Sequence, residues 1–262
     1  MHAHLAGRLS WPFLGADTTR QVRSMATLQR KSSRRRFGPG RNALLKAQGA
    51  RGKRPNNLWL HYSPRNRKNV ILRSDVEFDH FCYVEGDEEV AHYVLEPEPI
   101  IVVMEGEPCR TQFDARVELR SRKVQMREVK DSDADLDARE LSQRDKQRAI
   151  ATAAGFEYVR ITRESLAAHR VLIDNWRCAI SFLAACRSLV LEPRMSALVG
   201  RVRAAGQPLT LEQLLVDMDR SEHPVHIAAL LQALQTGQLR SDLAVRPFCN
   251  LSTFMLPGGC RE

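Results

Sequence analysis

The chain has 262 residues, enough to bury a hydrophobic core and to form one or two domains. Its hydrophobic content is 43%, but no apolar run approaches the ~20 residues of a membrane-spanning helix, so we expect no membrane partner. The six cysteines form no Cys-x-x-Cys pair and show no zinc-ligand spacing with the eight histidines. This pattern argues against a structural zinc site and favours a reducing, cytoplasmic location.

The net charge of +9 is concentrated at the N-terminus. Residues 1–56 contain thirteen Arg and Lys against one acid, Asp17, which gives this segment +12 and leaves −3 for residues 57–262. The segment is rich in Gly, Pro, Ser and Arg, a composition that predicts a disordered basic arm with affinity for nucleic acid. The alternatives are a solubilising tail, or translation that starts at Met25.

The first predicted ordered elements are a helix and a strand. Residues 73–87, "RSDVEFDHFCYVEGD", favour a helix whose N-cap is Ser74. A strand is predicted from Ile100 to Met104, and a turn follows it. The apolar face of the helix consists of Phe78, Phe81 and Cys82.

A hairpin and a series of helices follow. Residues 109–119 and 124–130 alternate in polarity and are joined by the polar run 120–123, which predicts two paired strands. After an acidic loop at 131–137, further elements are predicted: a helix at 139–154 ended by Gly155, a strand at 156–161, a helix capped by Thr162, and a long apolar helix at 175–191. This order of elements predicts an α/β layered fold for residues 57–192.

Residues 193–262 are predicted to form a second, smaller unit. A capping box from Thr210 to Gln213, a helix that ends at Gly237 and two short C-terminal strands indicate a winged-helix-like domain. Its second helix, "VHIAALLQALQ", has no Arg or Lys with which to contact base edges. We therefore favour protein contact over DNA reading for this domain, and charge reversal at Arg240 and Arg246 would test that choice.

The hairpin contains the candidate site. Period-two geometry places Glu128 and Lys130 on one face of the second strand, and the fold-back returns Asp114 to their level. The site requires Asp114 to lie opposite Glu128 or Lys130, because a one-residue slip would turn it to the other face. Two carboxylates suit Mg²⁺, with Mn²⁺ as an alternative ion. A lysine can help to position or to deprotonate the water, because its pKa shifts readily near other charges, whereas an arginine stays protonated.

The same residues have a simpler interpretation. Exposed hairpins often carry Asp, Glu and Lys as solvated pairs that contribute under ~1 kcal/mol each. Ser74 and Glu77 have the spacing of a capping box, which needs no catalytic role. Gln143 and Gln147 on the next helix could contact the site or DNA, but a solvated face is the favoured interpretation.

A wider pattern resembles a known family. The segments "SDVEFDHFCYVEGDEEVAHYVLEPEPIIV" (74–102), "QFDARV" (112–117) and "MREVK" (126–130) resemble the TnsA family, the endonuclease subunits of heteromeric cut-and-paste transposases. The resemblance covers residues 61–165 in motif detail. It implies a restriction-endonuclease-like mixed sheet with flanking helices and the PD-(D/E)xK signature, followed by a winged-helix-like domain.

The resemblance also implies roles for single residues. The family's motif positions are matched by Glu77, Asp114, Glu128 and Lys130, which would be catalytic. The implied metal ligands are Glu77, Asp114, Glu128 and the carbonyl of Val129. The sequence departs from the family at Glu98, where Gln is usual, and at Phe113, where Pro is frequent; neither departure removes a ligand.

The implied function is hydrolysis of the 5′ strand at transposon ends in double-stranded DNA. The implied partners are a DDE-type transposase, which cuts the other strand, and an AAA⁺ ATPase regulator, in a bacterial cytoplasm at the nucleoid. Two other functions stay open: a stand-alone restriction or repair nuclease of the same fold, and a non-catalytic winged-helix adaptor that binds DNA or protein.

Overall fold

The computed structural model describes residues 57–132 and 137–258, together with Gly49. The predicted basic arm at 1–56, apart from Gly49, and most of the acidic loop at 131–137 lie outside the described residues. The described chain is a mixed α/β structure, as the sequence predicts. None of the helices in these ranges is long and apolar enough to cross a membrane.

The strands and helices of residues 57–258 are numbered in chain order. The strands are β1 Trp59–Ser63, β2 Lys68–Leu72, β3 Val90–Leu95, β4 Ile100–Met104, β5 Glu107–Thr111, β6 Ala115–Leu119, β7 Val124–Val129, β8 Glu157–Ile161, β9 Leu209–Thr210, β10 Arg240–Ser241 and β11 Thr253–Met255. The helices are α1 Asp75–Gly86, α2 Ala138–Ala153, α3 Arg163–Ala167, α4 Arg170–Ala185, α5 Glu192–Ala205, α6 Leu211–Leu215 and α7 His223–Gln235, with a 3₁₀ turn at Arg220–Glu222.

The central sheet has four strands in the order β3-β6-β7-β8. Neighbours β3, β6 and β7 are antiparallel, whereas β7 and β8 are parallel and are connected through α2. The prediction of a single strand at 109–119 is wrong. Strand β5 pairs with β4 in a separate two-stranded ribbon, and the chain enters the central sheet only at β6. The chain changes sheets at residues 112–114, and this bend positions Asp114.

Helix α1 forms where the sequence predicts it. The Ser74 hydroxyl accepts a hydrogen bond from the Glu77 N–H, and the predicted apolar residues Phe78, Phe81 and Cys82 are buried. The helix packs closely against α4 at Gly86. A Cβ placed on this residue would lie only 2.1 Å from the Trp176 ring, so the contact needs a glycine. The two helices cover one face of the central sheet, and they share the main hydrophobic core with it.

Helix α2 covers the other face of the sheet. A smaller core there contains Phe113, Met126 and Ala151. Phe113, one of the two departures from the family pattern, is therefore a buried anchor beside the bend. The predicted helix end is confirmed by Gly155, whose φ of +79° is in the left-handed region that glycine adopts readily.

Helix α4 differs from its prediction at both ends. It begins at Arg170 and ends at Ala185, not at 175 and 191. The apolar run continues through a turn in which the Leu189 N–H donates to the Cys186 carbonyl, and Leu191 is buried beyond it. Hydropathy alone does not separate the end of a helix from a turn that packs on the same core. Cys186, in the turn after the helix, is buried, and Cys178 within it is half-buried.

The C-terminal unit contains α5, α6, α7 and a three-stranded sheet in the order β10-β11-β9. The Thr210–Gln213 capping box is confirmed, since each side chain accepts the other residue's backbone N–H. Helix α7 is buried along nearly all of its length and packs on α4 and α5. The main core is continuous from α1 to α7, and the division into 57–192 and 193–262 stays a prediction.

Candidate functional site

Asp114 is positioned by backbone hydrogen bonds at the bend before β6. Its N–H donates to the Arg127 carbonyl at 3.1 Å, and its own carbonyl accepts from the Glu96 N–H at 2.8 Å. The β6–β7 register pairs Ala115 with Arg127, so one step further Asp114 lies opposite Glu128. The structure therefore has the register that the metal-site hypothesis requires.

The Asp114 carboxylate also contacts the neighbouring strand directly. Its Oδ2 accepts the Val129 N–H at 2.7 Å, which holds the side chain against the end of β7. Val129 thus belongs to the site through its amide, and the role of its carbonyl as a metal ligand stays a prediction. The contact fixes the carboxylate beside Glu128 and leaves it little freedom.

Glu128 and Lys130 form an ion pair at the same strand end. The Lys130 Nζ lies 2.7 Å from Glu128 Oε1, with the glutamate side chain 5% exposed and the lysine 43% exposed. The carboxylate is therefore buried while the ammonium reaches solvent. This arrangement differs from the solvated pair of the simpler interpretation, in which both groups would be exposed.

The electrostatics of Asp114 are unusual for a carboxyl group. Burial, followed by the negative charge of Glu128, raises its pKa to about 7. The Val129 hydrogen bond and the Lys130 charge act in the opposite direction, and the charge of Glu77 adds to the increase. Two carboxylates therefore face each other with too little positive charge to keep both ionised at low cost.

Of the two roles predicted for Lys130, orienting a water or deprotonating it, the electrostatics favour the first. Burial lowers the pKa of Lys130, but the hydrogen bond and charge of Glu128, with a contribution from Asp114, outweigh it and raise the pKa above its usual value. Lys130 is therefore held as an ammonium. It can neutralise charge and orient an anion, but in this arrangement it does not act as a base.

Glu77 lies near these residues, but its carboxylate accepts a hydrogen bond from the backbone. Its Oε2 accepts the Arg73 N–H at 2.8 Å, which makes it part of the cap of α1. Within the described ranges, no three or more His, Cys, Asp or Glu side chains are grouped closely enough to hold a metal ion. The structure thus brings together Asp114, Glu128 and Lys130, and it leaves Glu77 at the margin.

One further residue, Arg160, adjoins the site and was not predicted to do so. Arg160 on β8 is in register with Glu128, and its charge lowers the Lys130 pKa. Gln147 on α2 is buried, so its interpretation as a solvated residue is wrong, whereas Gln143 is exposed as expected. The alternation of β8 shows which of its residues share a face. It does not show that Arg160 lies beside Glu128, because the parallel register of β7 and β8 is set by the crossover through α2.

A second buried carboxylate, Glu85, lies at the other end of α1. It accepts hydrogen bonds from the Ser63 hydroxyl at 2.6 Å, from the Tyr93 hydroxyl at 2.5 Å and from the Gln235 side-chain amide at 2.5 Å. The Arg65 N–H adds a longer contact of 3.3 Å. Because Gln235 is the last residue of α7, this cluster joins the C-terminal unit to α1.

In the C-terminal unit, neither α7 nor Arg240 is free to contact DNA. Helix α7 is packed inside the protein, so it cannot enter a groove. Arg240 is paired with Glu88 at 2.8 Å and Glu89 at 2.9 Å. Charge reversal at Arg240 would therefore break an internal contact, and that part of the proposed test is wrong; Arg246 is exposed and stays suitable.

The site is thus a compact group of one buried carboxylate, one half-buried carboxylate and one ammonium at the end of β7. Its geometry comes from the β6–β7 register, the Asp114–Val129 hydrogen bond and the Glu128–Lys130 ion pair. Neither the protein-family models nor the curated proteins provide a match to this chain.

Proposed function

We propose that the chain is a divalent-metal-dependent DNA endonuclease that hydrolyses a phosphodiester bond. The observation that carries the proposal is the placement of Asp114 opposite Glu128, with Lys130 bonded to Glu128 at the same strand end. The burial of Glu128, beside a half-buried Asp114, argues against a solvated surface pair. The resemblance to the TnsA family, through the same residues, supplies the substrate and the reaction.

The residues present fit a magnesium or manganese ion. Mg²⁺ binds through one or two carboxylates together with waters and substrate phosphate, and Asp114 and Glu128 supply two. Burial and the neighbouring Glu128 charge together raise the Asp114 pKa to about 7, and a cation would relieve the repulsion between the two carboxylates. When bound, the ion would acidify a water and neutralise phosphate charge.

The chain's own residues then have distinct roles. Asp114 and Glu128 would bind the ion, with the Val129 carbonyl and Glu77 as further ligands that the resemblance implies. Lys130, held as an ammonium, would orient the attacking water or the scissile phosphate by charge. Arg160 would add a second positive charge near that phosphate, since it lies in register with Glu128.

The finer architecture and the partners are part of the same proposal. The mixed sheet flanked by α1 and α2 supports a restriction-endonuclease-like core, and the order of α5 to β11 supports a winged-helix-like domain. We infer a heteromeric transposase in which this subunit cuts the 5′ strand at transposon ends, with a DDE-type transposase and an AAA⁺ regulator at the bacterial nucleoid. The buried, uncharged α7 favours protein contact by the C-terminal unit.

Calorimetric titration of Mg²⁺ and Mn²⁺ into the full chain tests the metal site. Asp114→Asn, which keeps an acceptor for the Val129 N–H, should abolish binding. Glu118→Gln is the matched control. Glu118 belongs to the same alternating set of residues as Asp114, and its side chain is half-exposed. Binding that survives Asp114→Asn, or is absent from a folded wild type both with and without transposon-end DNA, would reject the proposal.

A non-catalytic adaptor is the second candidate. It is favoured by the lack of a three-ligand group within the described ranges and by the use of Glu77 as a helix cap. Cleavage of end DNA by the chain with its transposase partner separates the two. Metal-dependent nicking that Asp114→Asn removes supports the nuclease, and nicking by the chain alone would indicate a stand-alone enzyme.

A further inference from the structure

The β4–β5 ribbon is a hairpin that extends from the central sheet. Its two-residue turn, Glu105–Gly106, has positive φ at both positions, as a type I′ turn requires. The inner face packs towards α2, but the outer face exposes Ile101 and Val103 at 63% and 73%. A solvated face would carry polar residues at these positions, so the ribbon has an uncovered apolar side.

The hairpin geometry determines which backbone groups point to its open edges. In a two-residue hairpin the pair that closes the turn, Met104 with Glu107, exchanges hydrogen bonds, and such pairs then alternate along the ladder. The non-bonded pairs are therefore Val103 with Pro108 and Ile101 with Arg110. Ile101 and Val103 direct their N–H and C=O groups away from β5, to an edge that no described strand covers.

The two edges of the ribbon are built differently. On the β5 edge the outward positions are Pro108, which has no N–H, and Arg110, which is charged. Proline and charged residues are the usual means by which proteins block pairing at an edge strand. The β4 edge has neither, because its five residues are Ile-Ile-Val-Val-Met. One edge is protected and the other is left able to pair.

We infer that β4 pairs antiparallel with β4 of a second copy of this chain, about a two-fold axis at Val102. This register places Ile101 opposite Val103 of the second copy, and the reverse. All four residues direct their backbone groups to the shared edge, so the pair gains four hydrogen bonds. The exposed Ile101 and Val103 side chains of both copies then form one apolar patch on the same face.

The charges that flank β4 are compatible with this arrangement. In the same register Glu105 comes opposite Pro99 of the second copy, and Glu98 opposite Gly106, so no glutamate faces another. Two five-residue strands bury less than the ~1,200 Å² of a standard stable interface, so we expect weak, reversible association. The inference is independent of the proposed nuclease function, since it uses no residue of the metal site.

Sedimentation equilibrium of the full chain, freed of nucleic acid and at high salt, tests the pairing. We expect the average mass to rise from 29.8 kDa towards twice that value between about 5 and about 500 µM, the range of weak interfaces. Val103→Pro removes one outward N–H per copy without breaking a bond to β5, and should keep the chain monomeric.

Val103→Thr is the matched control, because it retains the N–H and the β-branched shape. Dimer in Val103→Thr and monomer in Val103→Pro, with equal thermal stability, supports strand pairing. A wild type that stays monomeric throughout the range overturns the inference. So does a Val103→Pro variant that associates like the wild type, or a Val103→Thr variant that fails as completely as Val103→Pro.

Discussion

The two ends of helix α1 each adjoin a buried carboxylate cluster, and the clusters are built in opposite ways. Near its C-terminal end, Glu85 receives hydrogen bonds from Ser63, Tyr93 and Gln235. Near its N-terminal end, Asp114 receives one from Val129 and faces the like charge of Glu128. Burial raises the pKa of both Glu85 and Asp114, but only Glu85 is surrounded by donors.

The difference separates a structural acid from a functional one. A buried carboxylate whose lone pairs are filled by donors from several elements ties those elements together. A buried carboxylate beside another one costs stability in the isolated chain, and such costs are typical of sites that bind a cation. Glu85 therefore joins α7 to the core, whereas the Asp114–Glu128 pair has the arrangement that the proposed metal site would use.

The largest expected effect is at Glu85. Replacement by alanine would remove the carboxylate acceptor that Ser63, Tyr93 and Gln235 share, and only one of the two hydroxyls could then donate to the other at 2.9 Å. We therefore expect a loss of about 3–5 kcal/mol in the free energy of unfolding. Urea denaturation measures this loss. Glu107→Ala, at an exposed carboxylate of β5, is the control and should change stability by less than about 0.5 kcal/mol. A Glu85→Ala variant as stable as the control would contradict the structural role.

Replacement of Asp114 is expected to increase the free energy of unfolding, whereas replacement of Glu85 decreases it. Its folded-state pKa of about 7 lies above the ordinary 3.8, so the stability it contributes below pH 4 is lost as pH rises through 7. In metal-free buffer at pH 8, Asp114→Asn should therefore be more stable than the wild type by up to ~4 kcal/mol. At pH 4 the two proteins should unfold at the same urea concentration. A variant that is destabilised at both pH values would show that Asp114 is structural.

A bound cation should remove part of this difference. Mg²⁺ at ten times its dissociation constant would stabilise the wild type by about 1.4 kcal/mol and leave Asp114→Asn unchanged. Because the ion competes with a proton on Asp114, its affinity should fall as pH decreases below about 7. Thermal melts with and without Mg²⁺ at pH 6 and pH 8 measure both effects. Equal stabilisation of the two proteins would place the ion elsewhere.

The smallest effect is expected at Lys130. Lys130→Gln removes the ammonium beside Glu128 and should destabilise the chain by roughly 1 kcal/mol, since the lysine is 43% exposed. The same change should raise the Asp114 pKa further, because the Lys130 charge now lowers it. The pH dependence of unfolding reports this second effect. No change in the Asp114 transition would place Lys130 outside the cluster.

Local signals predicted several elements well. Ser74 marks the start of α1 because a serine hydroxyl satisfies a free N–H of the first turn, and Gly155 marks the end of α2 because glycine tolerates positive φ. Each of these signals depends on interactions within a few residues. The same holds for Thr162 and Thr210, which cap α3 and α6 as predicted.

The candidate site was predictable only in part. Alternation placed Glu128 and Lys130 on one face of β7, but the position of Asp114 depended on a register that alternation does not fix. The direction of the Lys130 pKa shift was not predictable from the sequence, because it depends on the 2.7 Å contact with a buried Glu128. Arg160 was missed because its neighbour on β7 is set by the crossover through α2.

Local sequence patterns were enough to predict the mixed α/β class, the helix caps, the strand β4 and the grouping of acids with a lysine in one short segment. Tertiary structure alone decided that residues 109–119 divide between two sheets, that α7 is buried, and that Glu85 is satisfied while Asp114 is not. The two sets of features differ in how far apart along the chain the interacting residues lie. Caps, turns and alternation are set by neighbours in the chain, whereas burial, register and electrostatics depend on elements that are distant in sequence.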